Sequence, residues 1–196
     1  ILAAILVPTI AKNINDAKIT RASNECLVIS AAMASFYKDM GRWPVGNGAA
    51  AGGGTDAINL LRTVNGLDAT NFGGTSGLWL TSTPADTFEN QLVRNLPGGA
   101  TAYYTPTTAV AVGLQDYTWR GPYLSEIKPD PWGTRYYCNA QQLRNVAVNA
   151  AWVLSAGPNK VIQTNFTQVI TAAASPRLNN NANAANPADD IGSRIQ

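Results

Sequence analysis

Residues 19–40 read ITRASNECLVISAAMASFYKDM, and this stretch decides the fold. Its side chains Ile19, Ala22, Cys26, Ile29, Met33, Phe36 and Met40 recur at steps of 3, 4, 3, 4, 3 and 4. That is the period of one face of an α-helix, whereas a strand alternates every second residue. The other faces carry Lys12, Asp16, Lys18, Glu25 and Lys38. Upstream, residues 1–7, ILAAILV, are apolar on every side and are followed by Pro8. The two parts read as one helix over residues 1–40. Its start, 1–10, is apolar all round, and its amphipathic half, 11–40, lays a single stripe on a domain. At about 1.5 Å per residue it reaches about 60 Å, further than a compact head of this size needs.

A helix apolar on all sides belongs in lipid or inside a bundle. Seven residues fall short of the roughly 20 that span a bilayer. The chain opens on Ile1 with no charged stretch before the apolar run, so the expectation is that a longer apolar segment precedes it. Pro8 removes a backbone donor and crowds the preceding turn, a defect tolerated where neighbouring helices pack against it. Ile1, Leu2, Ile5, Leu6, Val7, Pro8, Ile10 and Ile14 are therefore the candidates for burial among neighbouring helices. Ile19, Ala22, Cys26, Ile29, Met33, Phe36 and Met40 are the candidates for packing helix on sheet.

The chain has 196 residues, enough for one domain with a sizeable core. Only 13% of them are charged and the net charge is +2, which argues against nucleic acid as a partner. There is no histidine, and with it go the commonest general base and the commonest zinc ligand. Ser155, in the run SAGP, is not the nucleophile of a GxSxG elbow. Residues 73–77, GGTSG, lack the spacing and the lysine of a phosphate loop. No catalytic activity is expected.

Gly41 and Pro44 end the long helix. Thr55 and Asp56 read as the start of a second, short helix through Ile58, Leu60 and Leu61, closed by Gly66. Thr83-Pro84-Ala85-Asp86 reads as the start of a third, running to about Asn95. The Thr/Ala/Val-rich residues 100–115 have room for one or two short strands. Asp130-Pro131-Trp132-Gly133 is turn chemistry. Beyond it, Tyr136 and Tyr137, then Trp152, Val153 and Leu154, read as two antiparallel strands. Cys138 shares a strand face with Tyr136 and Thr134. A disulfide from Cys26 to Cys138 in an oxidising compartment, or two buried free thiols, are both open from the sequence.

An apolar N-terminal helix with a proline, an amphipathic half and a small head resemble the type IV pilins and the pseudopilins of type II secretion systems. The C-terminal half is similar to the major pseudopilin in particular. The segments that carry this are Gly121-Pro122-Tyr123-Leu124, Asp130-Pro131-Trp132-Gly133, Tyr136-Tyr137, Ser155-Ala156-Gly157-Pro158 and Asp189-Asp190-Ile191, in that order. The resemblance implies an α+β pilin fold, with the long N-terminal helix packed against a small antiparallel sheet bearing extended loops. The helix would be residues 1–40 and the head 41–196, divided into a connecting loop 41–120, a sheet 121–155 and a C-terminal loop 156–196. It also implies a structural subunit of a helical homo-oligomeric filament, assembled with a membrane platform protein and minor pilins or pseudopilins. Such a subunit waits in a bacterial inner membrane and then enters a periplasmic or cell-surface filament. In that family the C-terminal loop binds calcium, which here assigns Asn159, Asp189 and Asp190 as ligands. A surface pilus, and a non-polymerising pilin-like binding module, are the alternative readings.

Overall fold

The computed structural model describes residues 2–48, 56–69, 71–72, 77–99, 104, 118–144, 150–167 and 189–195, with the backbone alone for 2–9 and 71–72. Ile1 and residues 105–115 thus lie outside the described residues. Helix α1 runs from Leu2 to Met40 without interruption at Pro8. Its 39 residues make it about 58 Å long. It stops at Gly41, whose φ of 65° is open to glycine at no steric cost. The Gly41 N–H turns back onto the Tyr37 carbonyl at 2.8 Å, closing the last turn.

The apolar stripe does what its period dictates, with one exception. Ala22, Cys26, Ile29, Met33, Phe36 and Met40 are all buried. Ile19 is 37% exposed and does not pack on the sheet. It sits one turn before Ala22, where the head has not yet closed over the helix.

The sheet beneath the helix has five strands: β1 (Leu60–Arg62), β3 (Ala85–Thr87), β4 (Tyr136–Cys138), β5 (Trp152–Ser155) and β7 (Ile191–Arg194). Their spatial order is β3-β1-β4-β5-β7. β4 and β5 pair antiparallel as expected, with Tyr137 opposite Leu154. The sheet as a whole is mixed rather than antiparallel, because β1 and β3 run parallel, Leu61 beside Asp86. It also draws on residues well outside 121–155. A second, two-stranded sheet pairs β2 (Asn71–Phe72) with β6 (Val161–Ile162) in parallel.

β1 and β3 replace the two short helices expected around 55–66 and 83–95. Leu60 and Leu61 are each fully buried on opposite faces of β1, a demand for two cores that a short amphipathic helix could not meet. At the second site the capping signal is present but displaced. Thr87, not Thr83, receives the Asn90 N–H at 3.2 Å, and a π-helical turn, Glu89–Val93, follows it. Pairing with β1 has overridden the local helix signal over 85–87.

The period-2 alternation of the strands divides the head into two cores. Leu61, Tyr136, Cys138 and Val153 face α1 together with Phe88 and Leu92. Leu60, Tyr137, Trp152 and Leu154 face the other way, covered by Trp79, Ile162 and Phe166. Cys26 and Cys138 lie in the helix-side core as separate free thiols, so the disulfide is not formed. Burial pushes both thiols well above their usual range, and they behave as apolar filling.

Candidate functional site: the projecting helix and the acid-pair loop

From Ile10 to Arg21 every residue of α1 is exposed except Lys18, which is partly so. The helix has therefore left its own head over about three turns. Ile10 is 49% and Ile14 53% exposed, although each would favour burial by roughly 1.5–3 kcal/mol. Leu2, Ile5, Leu6, Val7 and Pro8 continue the same helical backbone. Among the described residues, no helix is long and apolar enough to cross a membrane.

Polar contacts fix the angle at which the helix leaves the head. The Tyr136 hydroxyl, from the central strand, donates to Glu25 Oε2. Arg21 Nε donates to Glu25 Oε1 at 2.9 Å and also reaches the Pro129 carbonyl, at 3.4 Å from its guanidinium. Near the other end, the Tyr123 hydroxyl donates to Asp39 Oδ2 at 3.1 Å, and Phe36 meets the rings of Tyr104 and Tyr123 edge to face. The Asp-Pro-Trp-Gly turn supplies a further lock. Asp130 is buried and its Oδ1 accepts the N–H groups of Trp132 (3.0 Å) and Thr134 (2.7 Å). Its Oδ2 accepts the hydroxyls of Thr134 and Ser155, the latter at 2.6 Å, so one carboxylate ties the turn to β5. Asn139 joins distant loops in the same manner. Its Nδ2 donates to the carbonyls of Ala150 and Phe166 at 2.9 and 2.8 Å, while its Oδ1 accepts the Trp152 N–H at 2.7 Å.

The three residues assigned to the C-terminal loop do come together. Asp189 Oδ2 accepts the Asn159 N–H at 3.1 Å. Asp190 is buried, and its Oδ2 accepts Gln163 N–H (2.9 Å), Thr164 N–H (2.6 Å) and the Thr164 hydroxyl (2.6 Å). These bonds lock the entry of β7 against the 157–164 turn. Gly157 allows the approach, since a Cβ there would stand 2.3 Å from the Asp189 carbonyl oxygen. Burial pushes the Asp190 carboxyl up to about 6 and that of Asp189 upward. Asp189 Oδ1 is buried with no hydrogen-bond donor. The bare Asp189 oxygen beside Asp190 offers a hard cation such as calcium two carboxylates toward the roughly six to eight oxygens it takes. Asp189 and Asp190 would hold it. Asn159 contributes less, because its Oδ1 already accepts the Val161 N–H at 2.7 Å. Bound there, a cation would neutralise the acid pair. Among the described residues no three or more acidic, cysteine or histidine side chains are grouped so that they could hold a metal ion.

Sequence reasoning located the stripe, the turn and the acid pair. It missed Glu25 and Tyr136, which meet across 111 positions, and Asn139, which joins loops up to 27 residues away, because nothing in the sequence shows which polar side chains meet in the fold. Searches against protein-family models, curated proteins and solved structures find no match to this chain.

Proposed function

We propose that this protein is the structural subunit of a type IV-like helical filament, nearest in kind to the major pseudopilin of type II secretion. The observation that carries the reading is the projection of α1 beyond its head with Ile10 and Ile14 half exposed. Isolated apolar side chains on a surface are ordinary, but a bare helix that continues into an all-apolar stretch is not. In a filament each such helix is sheltered by those of its neighbours, and the heads form the outer shell. The same surface is held by lipid before assembly. The work is done by assembly and not by chemistry at a single site, and calcium at Asp189 and Asp190 would stiffen the shell. The test is sedimentation and electron microscopy of the intact protein beside the variant Ile10→Lys/Ile14→Lys. The wild type is expected to pellet as fibres while the variant stays monomeric with an unchanged melting temperature. A wild type that remains monomeric at high concentration refutes the reading.

A further inference from the structure

The head has an underside, at the end from which α1 projects. There Arg21 reaches the Pro129 carbonyl, and the Asp-Pro-Trp-Gly turn meets the loop that follows β1. The Leu67 N–H donates to the Gly133 carbonyl at 2.9 Å, and the Arg135 N–H to the Leu67 carbonyl at 3.0 Å. Held in this way, Leu67 is 67% exposed, the most exposed large apolar side chain among the described residues. Val64, in the same loop, is 42% exposed, and Trp132 is partly exposed in the adjoining turn. Arginines border these apolar groups. Arg62 and Arg135 both reach Asp68 Oδ1, at 3.5 and 3.0 Å, and the Tyr137 hydroxyl donates to the same oxygen at 3.2 Å. Two guanidinium groups thus share one carboxylate, which leaves positive charge unbalanced beside Leu67. Glu89, the next acid, is answered by Arg94 as well.

We infer that this underside rests on the headgroups of an anionic lipid surface. This rests on the reading in which lipid holds the start of α1 before assembly, and adds a second contact, made by the head itself. Dimensions favour this occupant. Along the projecting leg of α1, residues 10–21, the helix climbs about 10 Å from Ile14 to Arg21. A headgroup layer is roughly 5–7 Å deep. With Ile14 at the hydrocarbon boundary, the level of Arg21 meets the outer edge of the headgroups, and Leu67 and Trp132 come down with it. Charge favours it too. Over the leg and the underside, Lys12, Lys18, Arg62 and Arg135 outnumber the acids Asp16 and Asp68. Arg21 and Glu25 cancel one another, as do Lys128 and Glu126. An excess of cations within about 8–10 Å of an anionic leaflet is attracted to it. Exposed leucine, tryptophan and arginine at one level suit the boundary between lipid and water, where each side chain can keep its apolar part inward and its polar part wet.

The test places an environment-sensitive fluorophore, nitrobenzoxadiazole, on the intact protein at Leu67→Cys, at Ile10→Cys on the leg, or at Lys38→Cys near the far end of α1. Cys26 and Cys138 are buried and stay out of the labelling reaction. Each labelled protein is mixed with vesicles of phosphatidylcholine alone, or of phosphatidylcholine with phosphatidylglycerol. On the anionic vesicles the probes at 10 and 67 are expected to shift to the blue and to be quenched by brominated lipid, and the probe at 38 to do neither. In flotation, Leu67→Asp is expected to bind the anionic vesicles about tenfold more weakly than the wild type, with an unchanged melting temperature because the side chain is exposed. A probe at 10 that enters lipid while the probe at 67 stays in water overturns the underside contact and leaves the leg and the filament standing. Equal binding of the wild type to both kinds of vesicle, or undiminished binding by Leu67→Asp, also overturns it. So does a blue shift at 67 without vesicles, at a concentration where no fibres form, which would give the patch to a second copy. If neither probe responds to lipid, the lipid-held leg falls together with the underside contact.

Discussion

The Tyr136 hydroxyl donates to Glu25 Oε2 across the boundary between sheet and helix, at the level where α1 begins to leave the head. Burial, and then this bond to a carboxylate, push the Tyr136 phenol far above its usual range, so it stays a donor at any working pH. Glu25 in turn holds Arg21. The direction of the leg is therefore set by a chain of charge-assisted bonds from the central strand.

Tyr136→Phe is expected to cost about 1.5–3 kcal/mol, the usual loss for a hydrogen bond to a charged group. The ring still fills the core, so the effect isolates the hydroxyl. A urea titration should show a lower midpoint with an unchanged slope. An unchanged midpoint would mean that the bond contributes nothing to holding the leg.

Asp130→Asn should be more damaging than a surface change of the same size. Four donors converge on this carboxylate, two on each oxygen. An amide presents N–H groups where one pair of donors now points. The expected loss is about 3 kcal/mol, read as a drop in melting temperature. A drop of less than 1 °C would show that the turn holds its shape without the carboxylate.

These two cases mark how much of the molecule can be read from the chain. The helix was legible because Ala22 through Met40 obey one period, and β4 and β5 because their aromatic and branched residues flank clear turn chemistry. The acid pair and Asn159 were legible as neighbours only through the resemblance. Strands β1 and β3 were not legible. Each has three residues, too few for a period to be seen, and each owes its conformation to a partner more than 20 residues away. Ile19 satisfied the helical period but lay past the edge of the head, and a period carries no information on where a cover ends.

Glu89 gives the head a pH dependence. It is buried, and both of its oxygens accept the Val64 N–H, at 3.1 and 3.0 Å. Burial raises its pKa; amide hydrogen bonds, Val64 among them, and the more distant Arg94 and Arg135 pull it down less strongly. The folded state then binds the proton more tightly than the unfolded state does. The contribution of Glu89 to stability therefore falls as pH rises from about 4.3 through the folded value, and is level beyond it. Glu89→Gln should make that slope shallower, leaving the fall that Asp190, pushed up to about 6 by burial, adds in the same direction. Melting temperatures of both proteins from pH 4 to pH 7 check this, and parallel curves would contradict it.

Calcium should raise the melting temperature of the wild type, a chelator should reverse the gain, and Asp189→Asn should abolish it. At a concentration 100 times the dissociation constant, the gain is about 2.7 kcal/mol. If calcium leaves the wild type unmoved, the acid pair serves the loop through its hydrogen bonds alone.

Helical reconstruction of the intact protein by electron cryomicroscopy bears most directly on the central claim. The account predicts a fibre with residues 2–21 of every copy running near the axis, Ile10 and Ile14 enclosed by neighbouring chains, and the heads outside. A dispersed particle with that helix bare in solvent, or a fibre joined only through its heads, would contradict it.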